Sequence, residues 1–140
     1  MSAAGPDENS RDGPPTSDTT NVDGLVVLVV EDEFLLACSL EEDLRSFGCT
    51  VVGPFNNLAL ATDRSRVEQF EIALLDMNLN GTMAYALADE LQARNIPLVI
   101  LSGYGSSDLP ERFRSLPRML KPYDPRVLIQ TIRKAAARAR

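Results

Sequence analysis

Ile72-Ala73-Leu74-Leu75-Asp76-Met77-Asn78-Leu79 is the stretch on which the fold turns. Four apolar residues run straight into a carboxylate. A short unbroken apolar run is the pattern of a strand buried on both faces, as in a parallel sheet. Asp76 falls where that strand should end, and Asn78, Asn80 and Gly81 beyond it are turn residues. In open α/β sheets, ligands bind outside the carboxyl ends of the strands. An acid there is either a functional group or a plain cap on the turn, and the rest of the chain has to decide.

Working outward, Leu25-Val26-Val27-Leu28-Val29-Val30 is a second apolar run, followed at once by Glu31-Asp32-Glu33. Leu36, Leu40 and Leu44 then recur on one helical stripe, extended by Phe47 and stopped at Gly48. Residues 49–52 form the next strand, closed by Gly53-Pro54. Residues 57–69 form a weaker helix with Leu58, Ala61 and Val67 inward. Past the central strand, residues 83–94 form a helix with Leu87 and Leu91 toward the sheet. Residues 97–101 form the fourth strand, which ends at Ser102. Asp108-Leu109-Pro110-Glu111 resembles a capping box for a short helix to about Arg114. Residues 116–120 form a fifth strand leading to Lys121-Pro122. Asp124 caps a last helix with Pro125 at its first position and Leu128, Ile132, Ala135 and Ala136 as its stripe. Strands alternating with helices predict an α/β fold: a doubly wound, five-stranded parallel sheet with helices on both faces.

Residues 1–23 hold almost no large apolar side chains and cannot bury enough surface to offset their ordering entropy, so they read as a disordered tail, with one domain over residues 24–140. The net charge of −6 argues against nonspecific nucleic-acid binding. Residues 112–140 nevertheless carry nine bases and one acid, and Arg126, Arg133, Lys134 and Arg138 form either a solvated face or a dock for an acidic partner. No apolar run is long enough to span a membrane and no signal-peptide core opens the chain, so a cytoplasmic protein is expected. Cys38 and Cys49 fit reduced core thiols. The chain has no histidine, so any phosphohistidine chemistry needs a partner's histidine.

Polar residues collect at the strand ends: Glu31 and Asp32, Asp76, Ser102 and Lys121. Clustered carboxylates repel unless a cation joins them. Hard oxygen donors without histidine or thiolate suit Mg²⁺. An Asp carboxylate is also a nucleophile able to form an aspartyl phosphate, whose charge a metal, an ammonium and a hydroxyl would offset. Taken singly, Asp32 reads equally as a helix cap, Ser102 as a turn hydroxyl and Lys121 as a surface lysine. Lys121 is one of only two lysines among fourteen bases, so a point-charge ammonium has been kept at a strand end.

Val30-Glu31-Asp32-Glu33, residues 74–79, Leu101-Ser102-Gly103-Tyr104-Gly105 and Leu120-Lys121-Pro122-Tyr123, in this order, resemble a bacterial two-component response regulator receiver domain over residues 25–138. The resemblance implies a (βα)5 flavodoxin-like fold with strand order 2-1-3-4-5. It implies that Asp76 accepts phosphate from a histidine kinase or histidine phosphotransfer protein. Asp32, Asp76 and the backbone carbonyl of Asn78 would bind Mg²⁺, with Glu31 acting through a metal-bound water. Ser102 would bind a phosphoryl oxygen and move on activation. Lys121 would pair with the phosphoryl group, its bond to Pro122 usually being cis. Such a domain is no enzyme beyond its own phosphorylation and slow dephosphorylation. It acts by switching an unknown downstream protein or by draining phosphate from a kinase.

Three features depart from the family pattern. Glu31 replaces the commoner Asp, the segment between Ser102 and Lys121 is short, and Arg118 stands where the rotating switch aromatic is usual. A guanidinium cannot swing cheaply into an apolar slot. That leaves Tyr104, between Gly103 and Gly105, as the switch candidate beside Ser102, in a segment over residues 103–115 expected to order on phosphorylation. The run Pro97-Leu98-Val99-Ile100-Leu101-Ser102-Gly103-Tyr104-Gly105 resembles the receiver subgroup marked by Pro-Phe-x-Phe-Ala-Thr-Gly-(Gly/Tyr)-Tyr. Two rival readings are weaker. A haloacid-dehalogenase-type phosphatase wants an acid at position 78, which is Asn. A flavodoxin-like cofactor binder wants a phosphate loop where Glu31-Asp32-Glu33 would repel one.

Overall fold

The computed structural model describes residues 22–103 and 109–138. Five strands, β1 (Val26–Val30), β2 (Thr50–Phe55), β3 (Ile72–Asp76), β4 (Leu98–Ser102) and β5 (Arg118–Leu120), form one parallel sheet in the order 2-1-3-4-5. The helices are α1 (Phe34–Ser46), α2 (Leu58–Val67), α3 (Tyr85–Ala93) and α4 (Pro125–Arg138). The flavodoxin-like receiver fold expected from the sequence is the one found. The strand order reverses between β1 and β3, which opens a crevice at their carboxyl ends.

Alternate strand residues serve opposite faces. Val27, Val29, Leu74 and Val99 pack with Leu40 and Leu44 of α1 and with Leu128, Ile129 and Ile132 of α4. Leu28, Ala73, Leu75 and Ile100 pack with Ala61 of α2, Leu87, Ala88 and Leu91 of α3, and Phe113. All five residues of β3 are buried, which explains its unbroken apolar run. A fully buried Leu contributes roughly 1.5–3 kcal/mol, and Leu74→Ala in this layer would cost about 2–5 kcal/mol.

Several expectations shift. Among the described residues, Val22, just ahead of Gly24, is buried with the α1/α4 cluster. The rest of the tail reading, along with Tyr104 and Asp108, lies outside the described residues. Cys49 is buried but Cys38 is exposed, so only one of the two is a core thiol. Two residues from Leu40, it lies roughly 200° around the helix from the apolar stripe. Val67 is exposed for the same reason, roughly 240° from Ala61. Phe47, beyond the last turn of α1, is 39% exposed. β2 runs on through a cis Gly53–Pro54 bond to Phe55. Gly53 has φ 104°, and a Cβ there would meet the Val29 carbonyl oxygen at 2.8 Å.

α3 starts at Tyr85, not at residue 83, because Asn78–Leu79 and Thr82–Met83 pair as a small antiparallel hairpin. Asn80 (φ 55°) and Gly81 (φ 89°) supply the positive φ angles that such a two-residue turn demands. The short fourth helix is a single 3₁₀ turn, Glu111–Phe113, started by Pro110. The fifth strand is three residues long, not five.

Candidate functional site

The fold delivers Glu31 and Asp32 from the end of β1, Asp76 from β3, Ser102 from β4 and Lys121 from just beyond β5. All but Glu31, which lies beneath the surface, line one cleft of about 770 Å³ together with Asn78. Lys121 Nζ donates to Asp76 Oδ2 at 2.8 Å and to Glu31 Oε1 at 3.1 Å. Its N–H extends the ladder to the Ser102 carbonyl at 2.9 Å. The Lys121–Pro122 bond is cis.

Asp76 Oδ1 accepts the Asn78 N–H at 3.0 Å, and Asn78 Oδ1 accepts the Gly81 N–H at 2.7 Å. The first contact is the turn cap of the bland reading. The Lys121 contact on the other oxygen is not part of any turn. Asn78 thus ties the hairpin to the phosphoacceptor candidate and forms one wall of the cleft. The Asn80-Gly81 dipeptide was the available sequence signal for this hairpin.

Glu31 is fully buried and Asp76 is 5% exposed. Burial is the main force pushing the Glu31 carboxyl up to about 7; the neighbouring Asp76 charge adds to it, and bonds from the Glu33 N–H and Lys121 oppose it. For Lys121, burial alone would lower the pKa, but the Asp76 and Glu31 carboxylates outweigh it and hold the ammonium above its usual value. Two buried acids share one ammonium, which leaves the pocket short of positive charge. Oxygens of Glu31, Asp32 and Asp76 all lie within 4.8 Å of one another. This donor set, all hard oxygen in a chain without histidine, fits Mg²⁺ and does not fit a softer metal.

Ser102 Oγ is buried and has no hydrogen-bond partner. A buried unmatched hydroxyl costs free energy and is a donor held ready for a ligand. Arg118 pairs in register with Ile100 but its side chain is exposed, as the cost of burying a guanidinium dictates. It is not brought to the cleft. Tyr104, the other switch candidate, lies outside the described residues.

A family model for the response regulator receiver domain matches residues 27–133. The transcriptional regulatory protein PdtaR of Mycobacterium tuberculosis is 30% identical over 132 residues, an alignment covering 89% of this chain and 64% of that protein. The chain therefore spans less than two thirds of that relative. The solution structure of SdrG from Sphingomonas melonis Fr1 matches with a TM-score of 0.73 at 31% identity, covering 83% of this chain and 98% of that one. The signal receiver domain of a modulated diguanylate cyclase from Desulfovibrio desulfuricans G20 matches with a TM-score of 0.74 at 28% identity, covering 84% and 97%. No helix among the described residues is long and apolar enough to cross a membrane.

Proposed function

Because the chain belongs to the response regulator receiver family, we propose that it takes a phosphoryl group onto Asp76 from the phosphohistidine of a histidine kinase or histidine phosphotransfer protein. An Asp76 carboxylate oxygen bonds to phosphorus while the phosphorus–nitrogen bond to the partner's imidazole breaks. The electron pair stays on that ring, which leaves neutral because its other nitrogen carries a proton. The histidine has to come from the partner, since this chain has none.

The observation that carries this reading is the Lys121 ammonium held 2.8 Å from Asp76 at the end of the central strand. A turn-capping aspartate needs no half-buried lysine. Lys121 pairs with the negative charge of the phosphoryl group, and the unmatched Ser102 Oγ is free to donate to one of its oxygens. Glu31, Asp32 and Asp76, with the Asn78 carbonyl, would hold Mg²⁺, which offsets charge on the phosphoryl oxygens. The family resemblance supports a role in which the phosphorylated domain switches a downstream protein or drains a kinase in the cytoplasm.

Incubation with Mg²⁺ and acetyl phosphate, followed by intact mass, tests the reading. One phosphoryl group is expected on the wild-type chain and none on Asp76→Asn; Asp32→Ala should lose the Mg²⁺ dependence. An Asp76→Asn chain that still gains a phosphoryl group would overturn it.

A further inference from the structure

Lys121 has to keep its ammonium at a fixed place on a long flexible stem, yet the strand that leads to it is short. β5 is a three-residue edge strand, bonded on one side only, to β4. The loop after it carries Tyr123. That ring packs against the buried α1/α4 cluster, and its hydroxyl donates to Asp43 Oδ2 at 2.7 Å. Asp43 lies on α1, whose first residue, Phe34, follows Glu31-Asp32-Glu33 directly. One hydrogen bond between residues 80 positions apart thus joins the segment carrying Lys121 to the helix that extends the segment carrying Glu31 and Asp32.

Resting on the phosphoacceptor reading of Asp76, we propose that Tyr123 is a positioning residue for phosphoryl transfer, fixing the β5–α4 loop on α1 through Asp43 so that Lys121 Nζ stays between Glu31 and Asp76. The bond is directional and its acceptor is ionised, which makes it stronger than a neutral pair. Burial pushes the Tyr123 phenol above its usual value, and the Asp43 carboxylate adds to this, so the hydroxyl keeps its proton and remains the donor. A misplacement of about 1 Å can cost a reaction on the order of a hundredfold in rate.

The test uses the full chain, acetyl phosphate and Mg²⁺, with the initial rate of Asp76 phosphorylation read by intact mass. Mg²⁺ affinity and thermal midpoint are measured in parallel. Tyr123→Phe keeps the ring and should slow phosphorylation about tenfold with unchanged Mg²⁺ affinity. Asp43→Ala should slow it equally, and the double variant should be no slower than either single one. Asp43→Asn, which keeps an acceptor oxygen, should recover most of the rate. Tyr123→Phe at the wild-type rate, additive losses in the double variant, or no recovery in Asp43→Asn would overturn the inference alone. A wild-type chain that takes no phosphoryl group would overturn the reading of Asp76 as well.

Discussion

Lys121 and Arg112 both hold carboxylates, and the contrast between them separates reactivity from decoration. The Lys121 side chain is 18% exposed, between the side chains of Glu31 at 0% and Asp76 at 7%. Arg112 makes the better-shaped contact, a two-pronged bond to Asp89 at 2.9 and 3.0 Å, but the two side chains are 54% and 46% exposed. Arg66 bonds Glu90 in the same way, from α2 to α3. Water screens the outer pairs, whereas the inner trio has little to screen it. The same ionic chemistry therefore ties shielded groups from three strand ends together at one place and straps exposed elements at the other.

The largest expected effect breaks the inner trio. Lys121→Gln removes the ammonium while keeping a hydrogen-bonding end group. Phosphorylation by acetyl phosphate with Mg²⁺ should slow by about a hundredfold or more, as for loss of a charge-stabilising donor in other active sites. A loss below tenfold would mean that the pairing seen between Lys121 and Asp76 does not persist in the transition state.

Next in size is the dependence of stability on pH in the metal-free protein. Glu31 carries its proton more tightly when folded, with a pKa of about 7 against 4.5 in the unfolded chain. Folded protein thus binds more protons between these values, so stability is full below the unfolded pKa and is lost as pH rises through about 7. In EDTA, urea unfolding should lose about 2 kcal/mol between roughly pH 5.5 and 8.5 through this group. Glu31→Gln, which has nothing to titrate, should flatten that part of the profile. If wild type and Glu31→Gln fall in parallel, the buried acid is not the source.

How far these two regions could be read beforehand follows from the same difference. The five strands and Asp76 were legible because apolar runs ending in acids are local patterns. The cluster of Glu31, Asp32, Asp76, Ser102 and Lys121 was legible because each sits at a strand end, and parallel strands share one carboxyl edge. Complete burial of Glu31 was not legible, since it depends on what β2 and Lys121 place around it. The run of β2 past Val52 depends on Gly53 adopting φ 104°, which the Gly-Pro pair disguised as a stop. α2 misled for another reason: Ala61 and Ser65 are its buried residues and Leu58 packs half-buried beside them, whereas Val67 looked like an anchor although it faces water. The Tyr123–Asp43 bond had no local signal, because its halves are 80 residues apart.

The smallest expected effect concerns Arg112, and it sharpens the comparison from the outer side. Arg112 joins the 3₁₀ turn to α3 through Asp89, and its guanidinium also lies 4.5 Å from the centre of the Phe113 ring. That ring is fully buried and stacks on Tyr85 at 5.8 Å. Most of what secures the turn is therefore the ring beneath. Phe113→Ala would open a cavity and cost about 3–5 kcal/mol. Arg112→Gln removes only the screened pair and the cation over the ring, and should lower the unfolding midpoint slightly at low salt. At high salt, where the ion pair is already screened, wild type and variant should nearly converge. The rate of Asp76 phosphorylation should not change, because the bonds of Arg112 go to Asp89, which does not line the cleft. A salt-independent loss would show that the pair is shielded after all. A slowed phosphorylation would show that the strap on α3 reaches Ser102 through β4, and the division between a reactive inner trio and a passive outer pair would fail.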